Sequence, residues 1–414
     1  MTVGATGTRP RSGGSSQARR DRTWQLGVLV GAAAGLAAGY FGRRAERIAR
    51  QGLIDWPRVE VLAARRLRQA PGALPRAELA ASAPAYAAAM GRIVPLLEER
   101  LGRPLPGVVE RHAVVDRAGW AAANAATFRS LIERLETPFL QELQREGGPV
   151  ASFAALGNRY LATHQVGLLL GYLGTRVLGQ YDVALLSAEA APGRLLFVEE
   201  NIRQTAAQLG VPLDEMRLWI ALHETTHAYE FEAHAWLRPY LAERLERQLS
   251  AFLDEAQAFR TEGVARALRR WREPGADALS AFLTPEQRRL LRETQVVMSL
   301  LEGFSDWVMD EVGARILPDV ATIRGRFEAR RQAPRRGLDR FLARLTGLDL
   351  KLEQYRRGER FVAGVYAAGG ERALERLWSG PEALPSEAEL ADPDAWVRRA
   401  LGPAGLLEAG PRDA

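Results

Sequence analysis

The chain has 414 residues, 47% of them apolar and 26% charged, which is a globular composition long enough for one large domain or two ordinary ones. It contains no cysteine, which excludes disulfides, thiolate zinc sites and cysteine nucleophiles and leaves histidine and carboxylate as the metal ligands. Nine arginines face only Asp21 and Glu46 in the first fifty residues, which more than accounts for the net charge of +6, so the rest is near neutral and lacks the broad basic face of a nucleic-acid binder.

Residues 1–22, rich in Gly, Ser, Thr and Arg with no apolar period, read as a disordered basic tail. Residues 23–50 hold the uncharged run Leu26–Gly42, with glycines at 27, 31, 35 and 39 on one helical face. The run is near the lower length limit for crossing a bilayer, and arginines on both sides set no orientation. A signal peptide is disfavoured because Arg43-Arg44 follow directly. Membrane contact through residues 26–42 and burial of this helix in the core both stay open, and with them a membrane-associated or a cytoplasmic location.

From about residue 52, apolar residues at three-four spacing predict helices over 57–69, 84–101, 120–145 and 151–178. The short apolar runs His112–Val115 and Leu195–Val198 predict strands. A helix from about Asp214 to Trp236 follows Pro212, and another over 287–312 stops at Gly313. Helices over 319–401 are parted by Gly369-Gly370 and Gly380-Pro381. Residues 51–405 are thus expected to form one α+β, predominantly α-helical domain with a small sheet, and residues 406–414 a flexible C-terminus.

His223-Glu224-Thr225-Thr226-His227 puts two imidazoles one helical turn apart on one face, where they converge on a single cation. The chain has only five histidines, so a chance match to this spacing is improbable. Glu224 lies beside the metal instead of on it, placed to take a proton from an activated water and return it to a leaving amine. A catalytic zinc still needs a third protein ligand. On an unbroken helix His234 would lie about 16 Å along the axis from His223, which is too far to share an ion.

Glu302 and Asp306 are a better pair, four apart on an otherwise apolar stretch that includes Leu300, Leu301, Trp307 and Val308. Carboxylates there are costly to bury without partners. Glu302 as third ligand and Asp306 as acceptor for a ligand histidine's second N–H would satisfy both. An arginine partner or a wet helix edge is the plain alternative.

His223-Glu224-x-x-His227 followed by Glu302-x-x-x-Asp306 resembles the gluzincin pattern. Val114–Trp120, Leu178–Asp182, Trp236–Pro239, Met298–Asp310 and Gln354–Glu359 resemble more closely an uncharacterised bacterial zinc-dependent metalloprotease family, labelled as associated with deazaflavin-coenzyme biosynthesis. The resemblance spans roughly residues 53–402 and departs from the family pattern at Phe304, where a histidine is common, and His234 is not a family position. It implies a zincin-like fold with an active-site H-E-x-x-H helix and Zn2+ held by His223, His227 and Glu302. The coenzyme label is one of association, not of activity.

The resemblance also points to Lys351, Tyr355 and Gly358 on one helical face. Tyr355 is the candidate oxyanion donor, with Tyr229, Tyr240 and Arg238 as rivals and an ordinary amphipathic helix as the bland alternative. Because a zincin strand before the metal helix can pair with extended substrate, Leu196 and Val198 are candidate substrate-binding residues. A core strand without substrate contact is equally open.

The expected function is a zinc-dependent hydrolase of a peptide or small amide, with Glu224 as general base and acid. One alternative is hydrolysis of a non-peptide amide or ester. Another is a non-catalytic, membrane-tethered helical scaffold with structural zinc. Oligomeric state is unassigned.

Overall fold

A computed structural model describes residues 52–105, 107–145, 149–182, 193–262, 285–332 and 348–402. The expected tail at 1–22, the glycine-striped helix at 23–50 and the C-terminus at 406–414 lie outside the described residues. So do the side chains of Lys351 and Tyr355. Among the described residues no helix is long and apolar enough to cross a membrane.

In chain order the elements are α1 (Trp56–Arg68), α2 (Arg76–Leu101), β1 (His112–Val115), α3 (Arg117–Arg145), α4 (Pro149–Leu173), β2 (Gly179–Asp182) and β3 (Arg194–Val198). There follow α5 (Glu199–Leu209), α6 (Leu213–Ala233), α7 (Leu237–Glu262), α8 (Pro285–Ile316), α9 (Val320–Gln332), α10 (Leu348–Leu377) and α11 (Pro393–Leu401). The fold is α+β and mostly helical, as expected.

The chain parts into two compact units. The smaller one comprises Met1–Asp55 and Glu136–Gln165. In it the Asp55 backbone N–H donates to Thr163 Oγ1 at 2.9 Å, and Arg159 pairs with the Asp55 carboxylate. The larger unit, Trp56–Leu135 and Val166–Ala414, holds the sheet and the candidate site.

The sheet runs β1-β3-β2. β1 lies parallel to β3 with His112 opposite Leu195, and β2 antiparallel to it with Gly179 opposite Phe197. This overturns the substrate-binding assignment of Leu196 and Val198. β3 is the central strand, its backbone groups taken up by neighbours on both sides, and both side chains are buried in the core. A strand must have a free edge to receive a peptide, and β3 has none.

β2 itself was not expected, and the helix predicted over 151–178 ends earlier, at Leu173. Gly-Gln-Tyr-Asp has no β-branched residue and no apolar alternation, so it becomes a strand only by pairing with β3. The helix predicted over 287–312 does not stop at Gly313 but continues to Ile316. The break expected at Gly369-Gly370 is present as a kink within α10 at Gly370, whose φ 61° and ψ −155° are not helical and favour glycine.

α6 is the central helix of the larger unit. Trp219, Ile220, Ala221 and Leu222 are buried in succession, as befits a helix enclosed on all sides. It packs on α2 and α8, with β2 and β3 alongside. α8 crosses α10 where Gly303 meets Gly358, and a Cβ on either would run into backbone of the opposite helix. This glycine crossing sits one residue from Glu302.

Candidate metal centre

α6 presents His223 and His227 on one face, with Nε2 atoms 3.2 Å apart and rings nearly perpendicular. Across from them, α8 places Glu302 Oε2 at 3.7 Å from His223 Nε2. One ligand atom from each of the three lies within 4.8 Å of the others. Donors about 2.1 Å from a tetrahedral zinc stand about 3.4 Å from one another, so these residues fit the ion.

The far nitrogens of both imidazoles are taken. His227 Nδ1 lies 2.7 Å from Glu230 Oε2, and His223 Nδ1 lies 2.9 Å from Ser305 Oγ, whose hydroxyl also reaches the His223 carbonyl. Such partners fix the tautomer that leaves Nε2 as the ligand atom. The sequence pattern points to Asp306 for this task, whereas Glu230 and Ser305 hold the two nitrogens. Glu230 carried a usable signal, because it follows His227 by three residues on the same helical face. Ser305 carried none.

The site is rich in negative charge. Glu224, Glu230 and Glu302 surround two histidines, Glu230 is fully buried, and its Oε1 has no hydrogen-bond partner among the described residues. Burial raises the pKa of Glu224 to about 7, with Glu302 pushing the same way and His227 opposing. Burial works against a charged His227, but the Glu230 carboxylate, helped by Glu302 and Glu224, outweighs it and lifts that ring to about 10. Surroundings that favour a proton on imidazole so strongly offer the same attraction to a divalent cation, which takes the proton's place.

Glu224 is 8% exposed and faces β2, where its Oε2 accepts the Tyr181 backbone N–H at 3.1 Å. Beside it opens a cavity of about 260 Å³, reaching back along α6 to Trp219 and Ile220. Asp306 lines this cavity with His223 and Glu224, and its charge acts on Arg324, which is ion-paired with Asp310 and Glu359.

Other residues weighed from the sequence stand elsewhere. His234 ends α6, stacks on Trp378 at 4.7 Å and has its Nδ1 2.8 Å from the Glu230 carbonyl oxygen. The Tyr229 hydroxyl donates to the Leu101 carbonyl, and Tyr240 packs under the Arg244 guanidinium.

A model of the zincin-like metallopeptidases matches residues 54–397. The chain belongs to that family. Membership implies bound zinc and makes the protein a hydrolase. A crystal structure from Chloroflexus aurantiacus, titled a "putative hydrolase with a novel fold", is similar at 36% identity and a TM-score of 0.59. That likeness covers 84% of this chain and 98% of the other. No curated protein matches. Neither likeness bears on deazaflavin-coenzyme biosynthesis.

Proposed function

We propose that this zincin-like hydrolase cleaves peptide or related amide bonds, with His223, His227 and Glu302 as the metal ligands and Glu224 as general base and then general acid. The observation that carries the reading is the convergence of the three ligand side chains from two helices beside a fourth, non-ligating carboxylate. Zinc, when bound, supplies the Lewis acidity that acidifies a water and polarises a carbonyl. Glu224 Oε2 is occupied by the Tyr181 N–H, which leaves Oε1 to take a proton from the attacking water and hand it to the departing nitrogen.

Ser305 and Glu230 hold the two imidazoles in the ligating orientation, and the cavity toward Trp219 gives room for a substrate group next to the scissile bond. The reading as a structural zinc finds no support, since among the described residues no further His, Asp or Glu joins the cluster to close it.

Zinc content and hydrolysis of an unstructured casein-type substrate test the proposal. Glu224→Ala is expected to keep its zinc and lose activity by about 100-fold or more, and Glu302→Ala to lose most of its zinc. Full zinc occupancy in Glu302→Ala would remove that residue from the ligand set. Cleavage of small amides with no action on peptides would move the substrate to the non-peptide class.

A further inference from the structure

β2 is the least strand-like segment of the sheet by sequence, yet each of its first three residues is anchored. Gly179 lies against Glu224 so closely that a Cβ there would fall 2.6 Å from Glu224 Cγ and 2.8 Å from Oε1. Gly179 is not in the left-handed region, so its need for glycine is one of space. The space is filled by the Glu224 side chain.

Gln180 turns the other way, accepting from Trp120 Nε1 at 2.7 Å and exchanging amide hydrogen bonds with Asn124 on α3. Tyr181 donates its backbone N–H to Glu224 Oε2, while its hydroxyl donates to Glu232 Oε1 at 2.8 Å and accepts the Gly193 N–H at 3.2 Å. Arg111 grips the same Glu232 carboxylate through both terminal nitrogens, at 2.7 and 2.8 Å. Glu224 and Glu232 are eight residues apart on α6, about 12 Å of helix. Tyr181 therefore ties β2 to α6 at two levels, and the upper tie ends on the base.

We propose that the Gly179–Tyr181 segment of β2 positions the catalytic base, Gly179 by leaving the volume that the Glu224 side chain occupies and Tyr181 by donating its backbone N–H to Glu224 Oε2. The proposal rests on the reading of Glu224 as the base. The physical reason is orientation. A carboxylate packed and hydrogen-bonded against a fixed strand is held in one orientation beside the metal ligands, and a displacement of about 1 Å can cost about 100-fold in rate.

The test is Gly179→Ala, made in the wild-type chain and in Glu224→Ala. In the wild-type background zinc content is expected to stay at the wild-type level while kcat falls about 10- to 100-fold with KM within about twofold. The Tm is expected to drop as well, and the same substitution in Glu224→Ala to lower Tm far less, because the atoms it strikes are gone. If Gly179→Ala does not fold but the double variant does, the contact is confirmed by that rescue. Wild-type kcat in Gly179→Ala, or an equal Tm loss in both backgrounds, overturns the positioning role. An active Glu224→Ala would sink the underlying reading instead, so the two failures are distinct.

Discussion

Two clusters of buried charge lie in the larger unit, and they are built on opposite principles. Around α5, Glu199 accepts from Arg217, from Arg203 at 2.7 Å and from the Tyr86 hydroxyl at 2.7 Å. Arg117 donates to Asn201, Gln204 and the Pro71 carbonyl, while Glu200 accepts the Arg117 and Leu74 backbone N–H groups. Burial pushes the Glu199 carboxyl up, but its two arginines and Tyr86 hold it below the usual carboxylate value. Around α6, by contrast, three carboxylates face two histidines and a buried Glu230 oxygen has no hydrogen-bond partner among the described residues. Buried charge alone therefore does not mark a site. A cluster of carboxylates with a buried oxygen left over does point to one, because a bound cation offsets the charge that burial otherwise pushes toward protonation, raising Glu224 and Glu230 to about 7.

Breaking the balanced cluster has the largest expected effect. Arg217→Met leaves Glu199 buried without its principal partner and is expected to cost about 3–5 kcal/mol of unfolding free energy. Urea midpoints would show it, with zinc per folded molecule unchanged.

In the unbalanced cluster the order reverses, with metal affinity suffering more than stability. Glu230→Gln keeps the shape and removes the charge behind His227, and zinc affinity is expected to fall about 10- to 100-fold. Competition against a chromophoric chelator measures this, and an unchanged affinity would make Glu230 a bystander.

A smaller effect comes from His234, which belongs to neither cluster. Burial, aided by Arg103, brings its pKa down from 6.5 to about 4 in the folded protein. Between those values the unfolded chain binds a proton that the folded chain does not, so this contribution is complete above about pH 6.5 and fades as pH falls toward 4. Comparing urea midpoints at neutral and mildly acid pH, the decline should be shallower in His234→Gln.

Much of the site was legible in the chain because its grammar is local. His223, Glu224 and His227 share one helix, where the four-residue spacing alone puts both imidazoles on one face. Glu302 was legible as a carboxylate in an apolar stretch, and α8 does carry it to the histidines. Asp306 was given a histidine to hold on the same grounds, yet Ser305, one residue earlier, and Glu230 lie against the imidazole nitrogens.

By itself, then, the sequence determined the mostly helical fold, the strands β1 and β3, the helix that carries both histidines and the carboxylate stretch that completes a candidate ligand set, each read from composition or from the pattern within its own element. Tertiary structure alone decided that β3 is central and paired on both sides, that Gly-Gln-Tyr-Asp is a strand, and that Gly303 and Gly358 bring two helices into backbone contact beside Glu302. It also decided which groups stand behind each imidazole and what touches Glu224. The reason is the same in each case. Strand order, close approach and the partners of a buried charge are set by residues distant in the chain, and nothing in the local pattern records which ones meet.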